Sequence, residues 1–488
     1  MLKKHCLALA ASLLLPFPAA TATRAAEYQP FPEGYGYMDP AEISLLANAV
    51  KNGDRTVLRD HGWRMWAGIM QPAKGLDWPV WYTWPNTTAA FAPAPTPGAL
   101  AAAAPASSGR SLIQRNLINV DIPSDELPYY PIPEAVAKAY PNATSKCPNP
   151  SGAPNICDGA HFQFNGDIMI VTESLSKEAY DWIRDPTLKL YERKSLEKLH
   201  NEHEHLLEAP ARHIVTKHMY WPVKAAGLSA IPVWRNDYDA NYAKYAGYEV
   251  WKNLVAVDPS GKSPAQLEAK VSFLYGVFEP SKDKKTPTTP WPTVTATATI
   301  YGIDQFYHHK VTQADWDSFD EADKAILSAA SYWAYNKPFE VGDYLVTVAM
   351  HVNTKELPTW ALQSVWWSDR ADAGPYAANR PSLPDAQGPW AHYLLVESYG
   401  VPERPQGAQP VAMNPYIELV IHSVATNCNN CHMRAGYPKA EDVHKVPPFS
   451  AYYMADCPDA LETLNPNSKC LQPLTLTDFQ WIISDRAK

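Results

Sequence analysis

The sequence predicts an α+β protein: a large mixed domain with a mainly antiparallel sheet, followed by a small all-α domain at the C-terminal end. Strand-like runs outnumber helical ones between residues 113 and 403 and do not alternate with them regularly, which argues against a parallel sheet. Two amphipathic helical patterns bracket residues 404–488. With 488 residues, the chain also exceeds the length that one core usually supports.

The first 25 residues have the organisation of a secretory signal peptide. Lys3 and Lys4 precede an apolar run over residues 6–15, and small residues follow up to Ala25. That run is too short to span a bilayer, and no later stretch approaches about 18 uninterrupted apolar residues. We therefore expect an exported, periplasmic protein without a membrane span.

Residues 26–87 are predicted to be a helical, Trp-rich N-terminal segment. Pro40 follows Asp39, a pair that caps and starts helices, and apolar residues then recur at helical spacing, so we expect helix over 40–70. Residues 88–112 are rich in Ala and Pro and contain too little apolar surface to fold alone. We predict that they form a linker or loop.

Residues 113–403 are predicted to form the α+β domain. Strands are expected at 167–173, 213–223, 248–257, 293–301, 344–352 and 359–367, and helices at 176–184, 189–207 and 312–335. Thr312 and Asp315 stand at capping-box spacing and predict the start of the last helix. The many Trp residues are expected to pack in the core, because aromatic rings bring large apolar area with few rotatable bonds.

Residues 404–488 have the length of one small helical domain. Asn414-Pro415 predicts the start of a first helix, whose apolar residues from Ile417 to Val424 share one face. Thr475 and Asp478 resemble the start of a second helix, which the apolar residues Leu476, Phe479, Ile482 and Ile483 would continue. Both helices would pack around whatever lies between them.

Between these two patterns stands Cys428-Asn429-Asn430-Cys431-His432, the C-x-x-C-H pattern of covalent haem attachment. In that chemistry the two thiols form thioethers with the haem vinyl groups, and the adjacent imidazole binds the iron. A redox-active thiol pair or half of a zinc site would also fit the pattern. Zinc requires further ligands at close spacing, and His444 alone lies near.

The remaining cysteines favour the haem hypothesis. Cys6 belongs to the signal peptide, and the other four fall into two local pairs, Cys147 with Cys157 and Cys457 with Cys470. An oxidising compartment would allow each pair to close as a disulfide. Cys428 and Cys431 then remain for haem.

The sixth iron ligand decides between a closed site for electron transfer and an open site for small ligands. Met454, which follows His432 by 22 residues, is our first candidate and would bind iron together with His432. His444 is the second candidate, and an open position is the third. His351 lies in an apolar strand and is better explained as a core histidine.

Two further features of the sequence, a histidine-rich run and the net charge, do not indicate a binding site. The run His200-Asn201-Glu202-His203-Glu204-His205 has charged flanks, and we expect a solvated helix face there and not a metal site. The net charge of −9 argues against nucleic acid as a partner.

With its haem motif, its Trp-rich N-terminal segment and the segments Lys217 to Ala226 and Thr359 to Trp367, the chain resembles a group of exported bacterial mono-haem cytochrome c-like proteins. The resemblance implies a class I cytochrome c-like domain at 404–488, one covalent haem c on Cys428 and Cys431, and His432 on iron. It implies no activity for residues 113–403.

These observations predict a periplasmic electron-transfer cytochrome with a periplasmic redox partner protein. The alternative is a haem enzyme, a peroxidase or oxygenase, with an open sixth site and a substrate pocket in the large domain. A third possibility is a binding module with an aromatic groove. The sequence names no small-molecule substrate.

Overall fold

The structure, a computed structural model, is built on a six-stranded sheet. It describes residues 27–76, 78–93, 132–144, 170–206, 208–235, 251, 253–262, 267–273, 293–383, 388–399, 412–417, 428–433, 435–438 and 474–487. The described strands are β1 (Ile170–Leu175), β2 (Ile214–Val223), β3 (Ser229–Pro232), β4 (Leu254–Asp258), β5 (Glu268–Phe273), β6 (Val294–Gly302), β7 (His308–Lys310), β8 (Tyr344–Thr354), β9 (Ala361–Trp367), β10 (Tyr393–Tyr399), β11 (Gly436–Tyr437) and β12 (Thr475–Leu476).

The described helices are α1 (Pro40–Asn52), α2 (Arg55–Ile69), α3 (Thr87–Ala90), α4 (Glu134–Ala139), α5 (Lys177–Ile183), α6 (Arg193–Asn201), α7 (Gln313–Ser318), α8 (Glu321–Tyr335), α9 (Cys428–His432) and α10 (Trp481–Arg486). None of these helices is long and apolar enough to cross a membrane. Short 3₁₀ turns join several of the elements.

The main sheet has the order β1-β2-β8-β9-β10, with β7 paired to β8, and every pairing in it is antiparallel. A four-stranded sheet has the order β3-β4-β6-β5, in which only β4 and β6 run parallel. A third sheet pairs β11 with β12. The predicted α+β class with a mainly antiparallel sheet is confirmed.

Different parts of the chain cover the two faces of the main sheet. Gln363 of β9 faces α2, where a Cβ on Gly62 would stand 3.4 Å from its side chain. Ser364 points to the opposite face because successive side chains in a strand alternate, and its Oγ accepts a hydrogen bond from Nδ2 of Asn414 at 3.0 Å. The N-terminal helices thus cover one face, and residues 412–417 cover part of the other.

The predicted burial of the Trp residues is confirmed for the described core. The largest fully buried side chains include eight tryptophans: Trp63, Trp66, Trp81, Trp84, Trp333, Trp360, Trp366 and Trp367. They belong to one hydrophobic cluster that also contains Met413, Cys428 and Phe479. The described residues from the C-terminal segment therefore share the core of the large domain.

Two helices predicted as continuous are each split in the structure. The predicted helix over 40–70 is divided at Gly53, whose φ of +68° ends α1, and the side chain of Asp54 then caps α2. The predicted helix over 312–335 is divided near Phe319, and Asp320 caps α8 by accepting from the backbone of Asp323. The capping box of Thr312 and Asp315 is confirmed at the start of α7.

The prediction that a helix starts at Thr475 is wrong. Thr475 and Leu476 are strand β12, paired with Tyr437 and Gly436, and the helix begins only at Trp481. The pairing with β11 satisfies backbone groups that the sequence pattern assigned to a helical turn. At the start of the other predicted helix, the side chain of Asn414 accepts hydrogen bonds from the backbone of Tyr416 and Ile417, as a helix cap does. Residues 418–427, which would continue that helix, lie outside the described residues.

Candidate functional site

The C-x-x-C-H motif forms the short helix α9. His432 follows Cys428 by four residues, so the helix places these two residues on the same side. The backbone N–H of Cys428 donates to the carbonyl of Ala412 at 3.0 Å, and Cys428 is buried. The motif is therefore anchored to the segment that packs on Ser364.

His432 is held by a backbone carbonyl. Its Nδ1 lies 2.6 Å from the carbonyl oxygen of Phe479. A carbonyl can only accept, so Nδ1 carries the proton, and the neutral ring has its lone pair on Nε2. This arrangement fixes the tautomer and the plane of a ring that could bind a metal through Nε2.

The carbonyl of Phe479 belongs to a tight turn over residues 477–480. The backbone N–H of Gln480 donates to the carbonyl of Thr477 at 3.1 Å, and both central residues are left-handed, with φ of +47° at Asp478 and +64° at Phe479. Two consecutive positive φ values define a type I′ turn, which Asn and Gly normally occupy. The hydroxyl of Thr477 also donates to the carbonyl of Gln480 at 2.9 Å.

The large domain holds this turn through Asp478. Its carboxylate accepts from the backbone N–H of Ala209 at 2.7 Å and from Nζ of Lys355 at 3.1 Å. Lys355 lies 3.0 Å from Glu208 as well. Burial raises the pKa of Asp478, and the charge of Lys355 opposes that rise.

Gln480 attaches the same turn to a buried histidine. Nε2 of His213 lies 3.1 Å from Oε1 of Gln480, and the ring is packed edge-on between Trp182 and Trp360. Nδ1 of His213 has no hydrogen-bond partner among the described residues. Burial lowers the pKa of His213 to about 3, although the bond to Gln480 opposes this shift.

His213 should make the stability of this region depend on pH. The ordinary histidine pKa is about 6.5, so between that value and about 3 the unfolded chain binds a proton that the folded chain does not. The contribution of the uncharged, buried His213 to the free energy of unfolding is therefore complete above pH 6.5 and is lost as the pH falls. Linkage predicts a loss of about 2.5 kcal/mol between pH 7 and pH 4.5.

The measurement is the free energy of unfolding in denaturant at both pH values, for the wild type and for His213→Gln. The variant should show a smaller loss on acidification by about that amount, since Gln does not titrate. His308→Gln is the matched control, because His308 is an exposed residue of β7, away from the turn. An unchanged pH dependence in His213→Gln would contradict the assignment.

The histidine run 200–205 is not simply a solvated face. Nδ1 of His205 accepts from the backbone N–H of Leu476 at 3.0 Å, and Nδ1 of His200 lies 3.4 Å from Oγ1 of Thr475. These two histidines thus contact β12, which the sequence had assigned to a helix. Among the described residues no cluster of three His, Cys, Asp or Glu side chains could hold a metal ion.

The structure brings together some of the predicted site residues. Cys428 and His432 lie in α9, and Met433 directly after it is buried. Met454, His444 and both predicted cysteine pairs lie outside the described residues, as does the side chain of Cys431. His351 lies in β8 and is half-buried.

Sequence reasoning missed the acceptor of the His432 bond. The sequence pattern places Phe479 in an apolar helix stripe and Asp478 at a helix cap. A backbone carbonyl has no side-chain signature, so only the two unfavourable left-handed positions mark the turn, and these are visible only in the structure.

A separate concave region lies elsewhere on the large domain. An open cleft with a volume of about 30 Å³, room for about one water molecule, is lined by aromatic residues that include Trp78, Tyr82 and Tyr220. Beside it, Nε2 of His309 lies 2.8 Å from Oδ2 of Asp315. All its lining residues fall between Trp78 and Leu345. It is therefore built from other parts of the chain than α9 and the 477–480 turn.

Comparison with protein-family models, with curated proteins and with solved structures finds no match to this chain.

Proposed function

We propose that the chain is an exported, periplasmic c-type cytochrome that carries one covalent haem c and transfers electrons to a periplasmic redox partner protein. Cys428 and Cys431 would form the thioethers, and His432 would be the proximal ligand. Met454 is proposed as the ligand on the other face of the iron. When bound, haem supplies one-electron chemistry at its iron.

The observation that carries this proposal is the 2.6 Å bond from Nδ1 of His432 to the carbonyl of Phe479. Histidines that bind metals usually donate the other ring N–H to a carboxylate or a carbonyl, which orients the ring and increases its basicity. A thiol pair that only exchanges disulfides requires no such tether on the next residue. The helical spacing of Cys428 and His432 supports the same function.

Different residues of the chain would attach the haem, bind its iron and exclude water. The cysteines would hold the group, Nε2 of His432 would donate to iron, and the buried surroundings of Cys428 would exclude water from that side. Exclusion of water matters because solvent exposure is one of the factors that set the potential of a haem. Residues 113–403 would act as a scaffold and provide a docking surface.

Haem attachment is tested by producing the full chain in a bacterial periplasm that contains a cytochrome c maturation system. We expect one haem per chain that survives denaturing electrophoresis, because thioethers are covalent. The Cys428→Ala/Cys431→Ala variant should lose it, and His309→Ala, a histidine in β7, should retain it. A wild-type chain without haem that binds zinc stoichiometrically would overturn the proposal.

The sixth ligand is tested separately by absorption spectroscopy with carbon monoxide. A Met454 ligand predicts a low-spin reduced spectrum that carbon monoxide leaves unchanged, and a far-red thioether band in the oxidised protein. Met454→Ala should abolish that band, whereas Met433→Leu, next to the proximal ligand, should keep it. High-spin iron that binds carbon monoxide readily would instead favour the haem enzyme.

A further inference from the structure

We propose that Asp478 is a positioning residue through which the large domain sets how strongly His432 donates to iron. This inference rests on the proposed haem attachment and deepens it. Asp478 would act only through the Phe479 carbonyl, and thereby tune the midpoint potential.

The contacts form one continuous path from the large domain to the histidine. Ala209 and Lys355 hold the carboxylate of Asp478 at 2.7 and 3.1 Å, and the next carbonyl along the chain, that of Phe479, receives Nδ1 of His432 at 2.6 Å. Lys355 is itself fixed, because its Nζ donates to the carbonyl of Pro358 at 2.9 Å. The acceptor position is thus determined by residues far from α9 in the sequence.

The turn needs this support because its backbone is unfavourable for its residues. A bulky side chain at a φ of +64° is a true outlier, yet Phe occupies that position. Such conformations persist only where the surroundings over-determine them, and they concentrate at functional sites. The bonds to Asp478 and the Thr477–Gln480 bond at 2.9 Å are such surroundings.

The orientation of the carbonyl has a direct chemical consequence. A short bond from Nδ1–H to an acceptor increases the basicity of the imidazole, and a more basic ligand stabilises ferric over ferrous iron. If the turn loosens, the bond lengthens and the ligand donates less. The midpoint potential should therefore rise.

The test compares two substitutions of Asp478 in the haem-loaded full chain. Asp478→Asn keeps a side-chain acceptor for Ala209 and tolerates the left-handed conformation, whereas Asp478→Val loses both. Both variants remove the same charge. We expect Asp478→Val to favour the reduced form by about tenfold, which is about 59 mV for one electron, and Asp478→Asn to shift it less than about threefold.

Thr477→Val is a second variant, which changes no charge. If Asp478→Val does not fold, this variant tests whether loosening the 477–480 turn changes the midpoint potential. It removes the hydroxyl that closes the turn and should also raise the potential. The Nδ1 proton resonance of His432 in the reduced protein should move upfield in Asp478→Val and Thr477→Val, because the bond has lengthened.

The outcomes separate this inference from the proposed function. Equal shifts in Asp478→Asn and Asp478→Val would show a charge effect and overturn the positioning role. So would a wild-type potential and an unchanged proton resonance in Thr477→Val. A wild-type chain without covalent haem would instead refute the proposed function itself.

Discussion

Replacing Arg59 with Met is expected to lower the free energy of unfolding by about 3 to 5 kcal/mol, because it takes from a buried carboxylate the more deeply buried of its two arginine partners. The guanidinium of Arg59 lies 2.9 Å from Glu397 and also donates to the carbonyls of Leu395 and Tyr376. Burial raises the pKa of Glu397, and the charges of Arg55 and Arg59 oppose this rise. Removal of Arg59 takes away one of those two opposing charges.

The measurement is chemical denaturation followed by tryptophan fluorescence. Arg55→Met is the matched control: its side chain is 24% exposed and also pairs with Glu397, so its loss should cost less. The double variant Arg59→Met/Glu397→Leu should recover much of the lost stability, since both charges are then absent. A loss below about 1 kcal/mol in Arg59→Met would contradict this account.

Truncation of Trp66 to Ala is expected to cost about 3 to 5 kcal/mol, the range for large aromatic residues in a packed core. Trp66 is fully buried, stacks on Trp390 with ring centroids 4.8 Å apart, and donates its Nε1–H to the sulfur of Met350 at 3.4 Å. The cavity left behind would separate α2 from the sheet.

Two control variants show whether the loss of stability in Trp66→Ala comes from the buried ring. Trp66→Phe keeps an aromatic ring and should cost less than the Ala substitution. Trp316→Ala removes a partly buried tryptophan at α7, which should cost less because less apolar area is lost. Equal losses in Trp66→Ala and Trp316→Ala would contradict the expectation that burial sets the cost of truncation.

Local sequence signals were sufficient wherever neighbouring residues decide the structure. Strands β2 and β9 were predicted within two residues, because β-branched and aromatic side chains run through them. The prediction lacks the turn at Gly53, although a Gly that ends one helix is followed there by an Asp that caps the next. The apolar pattern on both sides of it concealed the break.

The sequence could not predict structure that depends on distant partners. Thr475 and Asp478 have capping-box spacing, but pairing with Tyr437 makes Thr475 a strand residue. In the candidate site, the motif at 428–432 was visible from spacing alone. Its acceptor lies 47 residues away on a backbone carbonyl, which any residue type could supply.

The bonds between α2 and β10 have a consequence for biosynthesis. Arg59 reaches the carbonyl of Leu395 across 336 positions of the chain. At a synthesis rate of about 5 to 20 residues per second, β10 emerges roughly 17 to 67 s after α2. During that interval Trp63 and Trp66 lack the strand against which they are buried. The nascent chain should therefore depend on a chaperone that shields this aromatic helix until β10 is made.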